Sequence, residues 1–281
     1  MVCRNAEEII KDNQKGAAEL MKDMGENILD RNIIEAKEYI MKIIKNRYSM
    51  TPLINLSNVF FTALDDGDDF SEEVKNYMNK VEESRNETIN KMKSIIDKND
   101  FHHAVTISYS STVIDTIKDI SKATVFESRP LNEGRKTAKL LRSNDTDVEY
   151  WIDAAMLKGL EDCDFVIIGT DTISHEGFLN KIGSYPLVIS AKEKDIPVYA
   201  VSDESKLMPK DLIMSKGERH PSNEVWETSK EIEVHNEYFE RVPLKYVSFV
   251  IGKRVFDKYE IINKLKKKEV SDLLKEFYPL G

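Results

Sequence analysis

The spacing of apolar residues changes near residue 98. Up to that point apolar residues recur every three or four positions with charged residues between them, which predicts amphipathic helices packed on one another. Pro52 is predicted to break this pattern, Asp65–Asp69 (DDGDD) to form a turn, and Ser71–Ile96 to form a long polar helix. Two helical series come first: Ile9, Ile10, Leu20, Met21, Met24, Ile28 and Leu29, then Ile33, Ile34, Ala36, Tyr39, Ile40, Ile43 and Ile44.

From Asp100 onward the chain contains short β-prone runs separated by helix-like segments. Strands that alternate with helices of about ten residues are typical of βαβ units, in which helices cover both faces of a parallel sheet. The segment Lys206–Pro243 is predicted to be irregular, and Tyr259–Phe277 to form a charged amphipathic helix. The predicted strands are His103–Tyr109, Ala123–Glu127, Asp147–Ile152, Asp164–Gly169, Pro197–Val201 and Tyr246–Ile251.

These two patterns together predict an α/β protein. Residues 1–98 are expected to form a helical N-terminal domain. Residues 99–281 are expected to form a Rossmann-like α/β domain with a mostly parallel sheet.

Polar side chains follow each of the first five predicted strands. The carboxyl ends of parallel strands meet at one edge of a sheet, where open α/β proteins bind their ligands. Each residue taken alone is most simply a helix cap or a turn residue, but the convergence of five such ends favours a small-ligand pocket. The residues are Ser108, Tyr109, Ser110 and Ser111, then Ser128 and Arg129, then Asp153, then Thr170, Asp171 and Thr172, then Ser202 and Asp203.

Composition and motifs narrow the class of protein. Lys and Arg number 41 against 50 Asp and Glu, and the net charge of −9 argues against direct contact with nucleic acid. No apolar run approaches the roughly 20 residues of a membrane span, and the first residues lack the apolar stretch of a signal peptide. No membrane contact and a cytoplasmic location are therefore expected. Cys3 and Cys163 form neither a disulfide framework nor a zinc motif. Without a dinucleotide or phosphate-loop motif or a helical histidine pair, no cofactor and no metal are predicted.

Three stretches together resemble one family. They are VTISYSSTVIDTI (Val105–Ile117), ESRPLNEGRKTAKLL (Glu127–Leu141) and GTDTISHEGFLNKIGSYPLVISAKEKDIPVY (Gly169–Tyr199). They resemble the superfamily of the translation initiation factor 2B regulatory subunits alpha, beta and delta. Its metabolic relatives are ribose-1,5-bisphosphate isomerase and methylthioribose-1-phosphate isomerase. The likeness is strong over the α/β half and looser over the N-terminal half, in GAAELMKDMGENIL and TPLINLSN.

The resemblance to the isomerases implies roles for particular residues. Asp171 matches the aspartate of their proton-transferring pair, Asn180 and Lys181 match a substrate-contacting pair, and Lys206 matches a later lysine. The cysteine of that pair is absent, because Tyr109 stands where the isomerases have it. Moving a carbonyl along a sugar needs a base and an acid, and a tyrosine with a pKa near 10 is a poor substitute for a thiol with a pKa near 8.5. An arginine before the Pro-Thr turn is also absent, since Met50, Thr51 and Pro52 stand there.

The sequence therefore favours a binding protein over a catalyst. The resemblance implies a regulatory subunit of the initiation factor 2B type. By the same resemblance, it is expected to form a homodimer or higher oligomer through the α/β half and to contact initiation factor 2. A phosphorylated small molecule, either a sugar phosphate or a nucleotide, is expected near Ser110, Ser111, Arg129, Asn180, Lys181 and Lys206. The alternative is a sugar-phosphate isomerase that uses Asp171 with Tyr109 or a serine. A metabolite sensor unrelated to translation is a third interpretation.

Overall fold

The computed structural model of the chain describes residues 4–12, 15–47, 49–212 and 220–278. Cys3, the first of the two cysteines, lies outside the described residues. No helix within the described residues is both long enough and apolar enough to cross a membrane.

The N-terminal region is helical, as predicted. Asn5 and Asn32 start two of its helices by accepting hydrogen bonds from the backbone N–H groups of Glu8 and Glu35. Pro52 does not interrupt a helix but lies in the first turn of one, where its missing N–H costs no hydrogen bond. The DDGDD turn contains Gly67, which ends that helix with a left-handed φ of 77°. The helices are α1 (Ala6–Lys11), α2 (Ala17–Leu29), α3 (Ile33–Asn46), α4 (Thr51–Asp66) and α5 (Phe70–Asn99).

Helix α5 is longer than predicted and packs against both halves of the molecule. It runs for 30 residues, begins after Asp69, whose side chain accepts from the N–H of Ser71, and ends at Asp100 in the left-handed conformation. It contacts α2 and α4 as well as parts of the α/β half. The boundary near residue 98 stays a prediction.

A seven-stranded sheet forms the centre of the α/β half. All of its strand pairs are parallel except the one between the last two strands, so the predicted α/β fold with a mostly parallel sheet is confirmed. In chain order the elements are β1 (His103–Thr106), α6 (Ser111–Ile117), β2 (Lys122–Phe126), α7 (Gly134–Arg142), β3 (Asp147–Trp151), α8 (Met156–Gly159), β4 (Phe165–Ile168), β5 (Thr172–Ser174), β6 (Gly177–Lys181), α9 (Ser184–Glu193), β7 (Val198–Ser202), β8 (Phe239–Val242), β9 (Ser248–Ile251), β10 (Arg254–Phe256), α10 (Lys258–Leu265) and α11 (Asp272–Phe277). The sheet order is β10-β9-β7-β4-β1-β2-β3.

A second, three-stranded sheet was not predicted. It has the order β5-β6-β8 and is antiparallel. Strand β8 corrects the prediction that Lys206–Pro243 is irregular throughout. Its partner β6 lies far away in sequence, so no local pattern reveals the pairing. This sheet places Asn180 and Lys181 at the strand ends of the larger sheet.

The end of the described chain forms two helices instead of the single one predicted over Tyr259–Phe277. Asp257 caps α10, and Ser271 caps α11 by accepting from the N–H of Leu274. Helix α11 packs against α4, so that Val270 and Leu274 join the apolar core of the helical region. The chain therefore returns to its N-terminal helices after leaving the sheet.

Candidate functional site

Two adjoining cavities lie at the carboxyl ends of the parallel strands. They share Gly16, Ala17, Ser108, Tyr109 and Asp171 in their linings. The strand-end cavity, of about 60 Å³, is also lined by Ala18, Glu19, Ile107, Ser110, Ser111, Thr112, Gly169, Thr170, Asn180, Asp203 and Lys206. The Tyr238 cavity, of about 100 Å³, is also lined by Asp12, Lys15, Arg47, Ser49, Met50, Leu131, Glu133, His220, Tyr238 and Phe239. The start of α2 thus closes a pocket whose other walls come from the sheet.

Asp171 lies between two lysines, and its side chain is 29% exposed. The Lys206 ammonium lies 3.8 Å from Asp171 Oδ1 and donates a 2.8 Å hydrogen bond to the carbonyl oxygen of Thr170. Burial raises the pKa of the Asp171 carboxyl, while Lys206 and Lys181 act to lower it. A carboxyl with a raised pKa can exchange a proton more readily near neutral pH than an ordinary aspartate.

We expect Asp171→Asn to raise the melting temperature at neutral pH and to lose that advantage in acid. Because the folded state raises the pKa of Asp171, it binds this proton more tightly than the unfolded chain does, and its stability falls as the pH rises through the shifted pKa. The amide avoids the cost of ionising this carboxyl. Below the ordinary pKa of an aspartate, the aspartate and its asparagine replacement are both uncharged, in the folded and in the unfolded chain. Thermal melts at several pH values measure the difference.

Asp119→Asn is a control of opposite sign. The hydrogen bond from Lys93 lowers the pKa of this exposed carboxyl, so its removal is expected to destabilise slightly at neutral pH. If Asp171→Asn were the less stable of the two at pH 7, the argument from burial would be wrong.

The turn that carries Lys206 is held by the helical region. Asn55 on α4 donates hydrogen bonds from Nδ2 to the carbonyl oxygens of Ser205, at 2.6 Å, and Leu207, at 3.0 Å. Thr51 on the same helix shares a 2.7 Å hydrogen bond with Thr172, next to Asp171. Helix α4 therefore fixes both sides of the Lys206 and Asp171 pair.

Strand β6 brings Asn180 and Lys181 to the site. Asn180 Nδ2 donates to Ser184 Oγ at 2.9 Å, and Ser184 Oγ donates to the carbonyl oxygen of Lys181 at 2.6 Å, which fixes the turn into α9. The Lys181 side chain is 2% exposed, and its ammonium lies 2.8 Å from Glu133 Oε1. It also lies 4.9 Å from the centre of the Tyr238 ring. Asn180 lines the strand-end cavity, whereas Lys181 contacts a residue that lines the Tyr238 cavity.

Ser110 and Ser111 lie at the strand-end cavity, and Arg129 does not. Ser110 precedes α6 and its Oγ accepts a 3.4 Å hydrogen bond from the N–H of Val113. The exposed Arg129 side chain donates to the carbonyl oxygen of Val225, while its backbone N–H donates to Asp153. Five of the six residues predicted to bind a ligand are therefore brought together with Asp171. Their binding role stays a prediction.

Tyr109 lines both cavities, and the ammonium of Lys136 lies 3.5 Å from the centre of its ring. Cys163 lies elsewhere, at the start of β4, and burial raises the pKa of its thiol to about 11. Among the described residues, no thiol lines either cavity.

Several residues of the site were missed by sequence reasoning. Glu133 stands inside the EGRK motif and could have been singled out there. Arg47 was not singled out, because the resemblance places an arginine at the position of Met50, three positions further along the chain. In the structure Arg47 lines the Tyr238 cavity, and its guanidinium donates to the carbonyl oxygen of Asp12 at 2.8 Å. His220 and Tyr238 come from the segment predicted to be irregular, and their rings stack with centres 3.4 Å apart.

A family model described as the initiation factor 2 subunit family matches residues 2–254. A Pyrococcus furiosus protein described as translation initiation factor eIF-2B subunit 2-like is 29% identical over 239 residues, 83% of each chain. Ribose 1,5-bisphosphate isomerase of Methanocaldococcus jannaschii is 34% identical over 151 residues, which cover 52% of this chain and 49% of the isomerase.

Solved structures share the fold over nearly the whole chain. Translation initiation factor eIF-2B of Pyrococcus horikoshii has a TM-score of 0.71 at 23% sequence identity, and the match covers 90% of this chain and 95% of the chain of that factor. The 5-methylthioribose 1-phosphate isomerase of the same organism has a TM-score of 0.71 at 19% identity, with coverages of 92% and 86%. A chain of the tetrameric eIF2B-beta2-delta2 complex of C. thermophilum has a TM-score of 0.64 at 12% identity, and 92% of each chain is covered.

Proposed function

The chain belongs to the initiation factor 2 subunit family, as its three sequence stretches predicted, and we propose that it is a regulatory subunit of the initiation factor 2B type. In this role it binds a phosphorylated small molecule at the two cavities and contacts initiation factor 2 in the cytoplasm. The observation that carries the proposal is a charged pocket lined by the Tyr109 ring, and the sequence resemblance implies a cysteine at this position in the isomerases.

The missing thiol weighs against catalysis. Isomerisation of a sugar phosphate takes a proton from one carbon and delivers it to the next, and removing one acid or base from such a step costs about 10²–10⁴ in rate. The ammonium of Lys136 lies over the face of the Tyr109 ring, and an ammonium cannot take up the proton of the tyrosine hydroxyl. Among the described residues, no thiol lines the cavities beside Asp171, where the resemblance to the isomerases implies one.

Binding makes fewer demands on the site than catalysis. It needs charge and hydrogen bonds, which Lys206, Asn180 and the serines at α6 can supply without a matched acid and base. A buried ammonium such as that of Lys206 makes stronger contacts with a phosphate than an exposed one.

Calorimetry and a turnover assay on the purified protein test this proposal together. We expect ribose 5-phosphate or another sugar monophosphate to bind, and ribose 1,5-bisphosphate and methylthioribose 1-phosphate to remain unconverted. A pull-down with tagged protein is expected to recover initiation factor 2. Failure to recover it from concentrated extract would contradict the translation role.

The second candidate function is a sugar-phosphate isomerase, and the raised pKa of Asp171 favours it. In this mechanism Asp171 moves the proton and Tyr109 or a serine acts as its partner. Turnover of either isomerase substrate that Asp171→Asn abolishes would establish this function and overturn the binding-only proposal.

A homodimer or higher oligomer through the α/β half belongs to the same proposal. Strand β3 is an edge strand, and Ile152 and Leu157 just beyond it are each 58% exposed. Exposed apolar side chains beside an edge strand are typical of surfaces that meet a partner. The tetrameric relative described above supports assembly. Light scattering is expected to give at least twice the 32.4 kDa chain mass, and a monomer at micromolar concentration would contradict this.

A further inference from the structure

The two buried lysines of the site differ in how they are paired. Lys206 donates to a backbone carbonyl and lies 3.8 Å from Asp171, which is beyond hydrogen-bond distance. Lys181 is in close contact with a carboxylate, at 2.8 Å from Glu133 Oε1, and is shielded from solvent. The positive charge of Lys181 is therefore neutralised before any ligand arrives, and that of Lys206 is less so.

The lining of the Tyr238 cavity contains more carboxylates than Lys and Arg side chains. Its lining has the carboxylates of Asp12, Glu133 and Asp171 and the cations of Lys15 and Arg47. Lys15 pairs with Asp23 at 2.6 Å, Asp12 pairs with Arg4 at 2.9 Å, and Arg47 donates to the carbonyl oxygen of Asp12. A phosphate placed beside Glu133 would meet its carboxylate oxygen Oε2, while the Lys181 ammonium already contacts Oε1 of the same carboxylate.

Glu133 itself has unused capacity to accept a hydrogen bond. Its Oε1 contacts Lys181, while its buried Oε2 has no hydrogen-bond partner among the described residues. A carboxylate oxygen accepts hydrogen bonds and cannot donate one when ionised. A hydroxyl or amine of a ligand would satisfy Oε2, and a phosphate oxygen would be repelled by it.

We propose that Glu133 makes this site selective for a monophosphate and against a bisphosphate. The single phosphate lies at the Lys206 end, and a hydroxyl or amine lies at the Glu133 end in the Tyr238 cavity. This inference rests on the proposed function, because it concerns which phosphorylated molecule the same pocket accepts. Like charges brought together on binding lower affinity strongly, so the discrimination is expected to be about 10- to 100-fold.

Ribose 5-phosphate and ribose 1,5-bisphosphate are a suitable pair of probes, because they differ only at C1, where one has a hydroxyl and the other a phosphate. Isothermal titration of the full chain should give a Kd for ribose 5-phosphate at least about tenfold below that for the bisphosphate. Glu133→Gln keeps the shape of the side chain and removes its charge, so it frees Lys181. This variant should improve binding of the bisphosphate by about tenfold or more and reverse or abolish the preference.

Glu149→Gln is the matched control. It breaks an equally close contact with a lysine, since Lys122 lies 2.7 Å from Glu149, but this pair joins the start of β2 to the middle of β3 and lines neither cavity. It should leave the preference unchanged. A thermal melt of each variant checks its folding, and the wild-type comparison is decisive even if Glu133→Gln does not fold.

Two results would overturn the inference, and they can be told apart. If the wild-type protein binds the bisphosphate as tightly as the monophosphate or more tightly, Glu133 does not discriminate, while the proposed binding function stands. If it binds neither sugar phosphate at millimolar concentration, the proposed ligand pocket fails as well.

Discussion

We expect Gly134→Ala to lower the free energy of unfolding by at least about 3 kcal/mol. A loss of this size is a large fraction of the stability of a typical protein and can prevent folding in the expression host. A Cβ at this position would lie 1.9 Å from the carbonyl oxygen of Phe126 and 2.9 Å from its carbonyl carbon. These are backbone atoms at the end of strand β2, so no side chain can turn away to make room. Either α7 or the strand end must move, and Glu133, which lines the Tyr238 cavity, directly precedes α7.

Chemical unfolding of Gly134→Ala and the wild type measures the loss. Gly16→Ala is the control, because a Cβ there would meet nothing closer than Glu19 Oε2 at 3.9 Å and its φ of −70° suits any residue. We expect that change to cost less than about 1 kcal/mol. A Gly134→Ala protein as stable as the control would mean that the approach of α7 to β2 is looser than described.

Lys206→Met is expected to weaken binding of a sugar monophosphate by about 100-fold while leaving the protein folded. A hydrogen bond to a charged group contributes about 1.5–3 kcal/mol, and the low exposure of Lys206 places it toward the upper end. Methionine retains the apolar stem of the lysine. It leaves the carbonyl oxygen of Thr170 without the donor that it has in the wild type.

Titration calorimetry with ribose 5-phosphate measures the change, and Lys210→Met is the matched control. Lys210 is exposed four positions further along the chain, so its removal changes the net charge equally without touching the cavities. If both variants bind as well as the wild type, the phosphate does not lie at Lys206.

The main sheet could be predicted because its signal is local. Several strands are short β-prone runs that a nearby helix follows, as α6 follows β1 (His103–Thr106), and polar residues mark where the first five predicted strands end. The convergence of Ser110, Asp171 and Lys206 follows from that topology alone. The second sheet left no such signal, because no helix separates β5 from β6 and because β6 pairs with a strand that follows a long irregular segment.

The pairing of Lys181 with Glu133 shows the limit of reading residues one at a time. Both residues stand in stretches that the family resemblance singled out, yet nothing in their spacing reveals that one neutralises the other. Arg129 is the reverse case: its position after a strand end suggested the pocket, and a contact with Val225 directs it elsewhere. Charge at a site depends on long-range neighbours, which sequence periodicity does not report.

The hydrogen bonds from Asn55 to the turn around Lys206 couple the helical region energetically to the ligand pocket. A ligand that shifts Lys206 must also strain or relax the two hydrogen bonds to α4. A protein that favours one arrangement of these helices therefore changes the affinity of the pocket for its ligand. The ligand changes the affinity for that protein by the same factor, because the coupling is reciprocal. A metabolite concentration could in this way be converted into the strength of a protein contact without any chemical step.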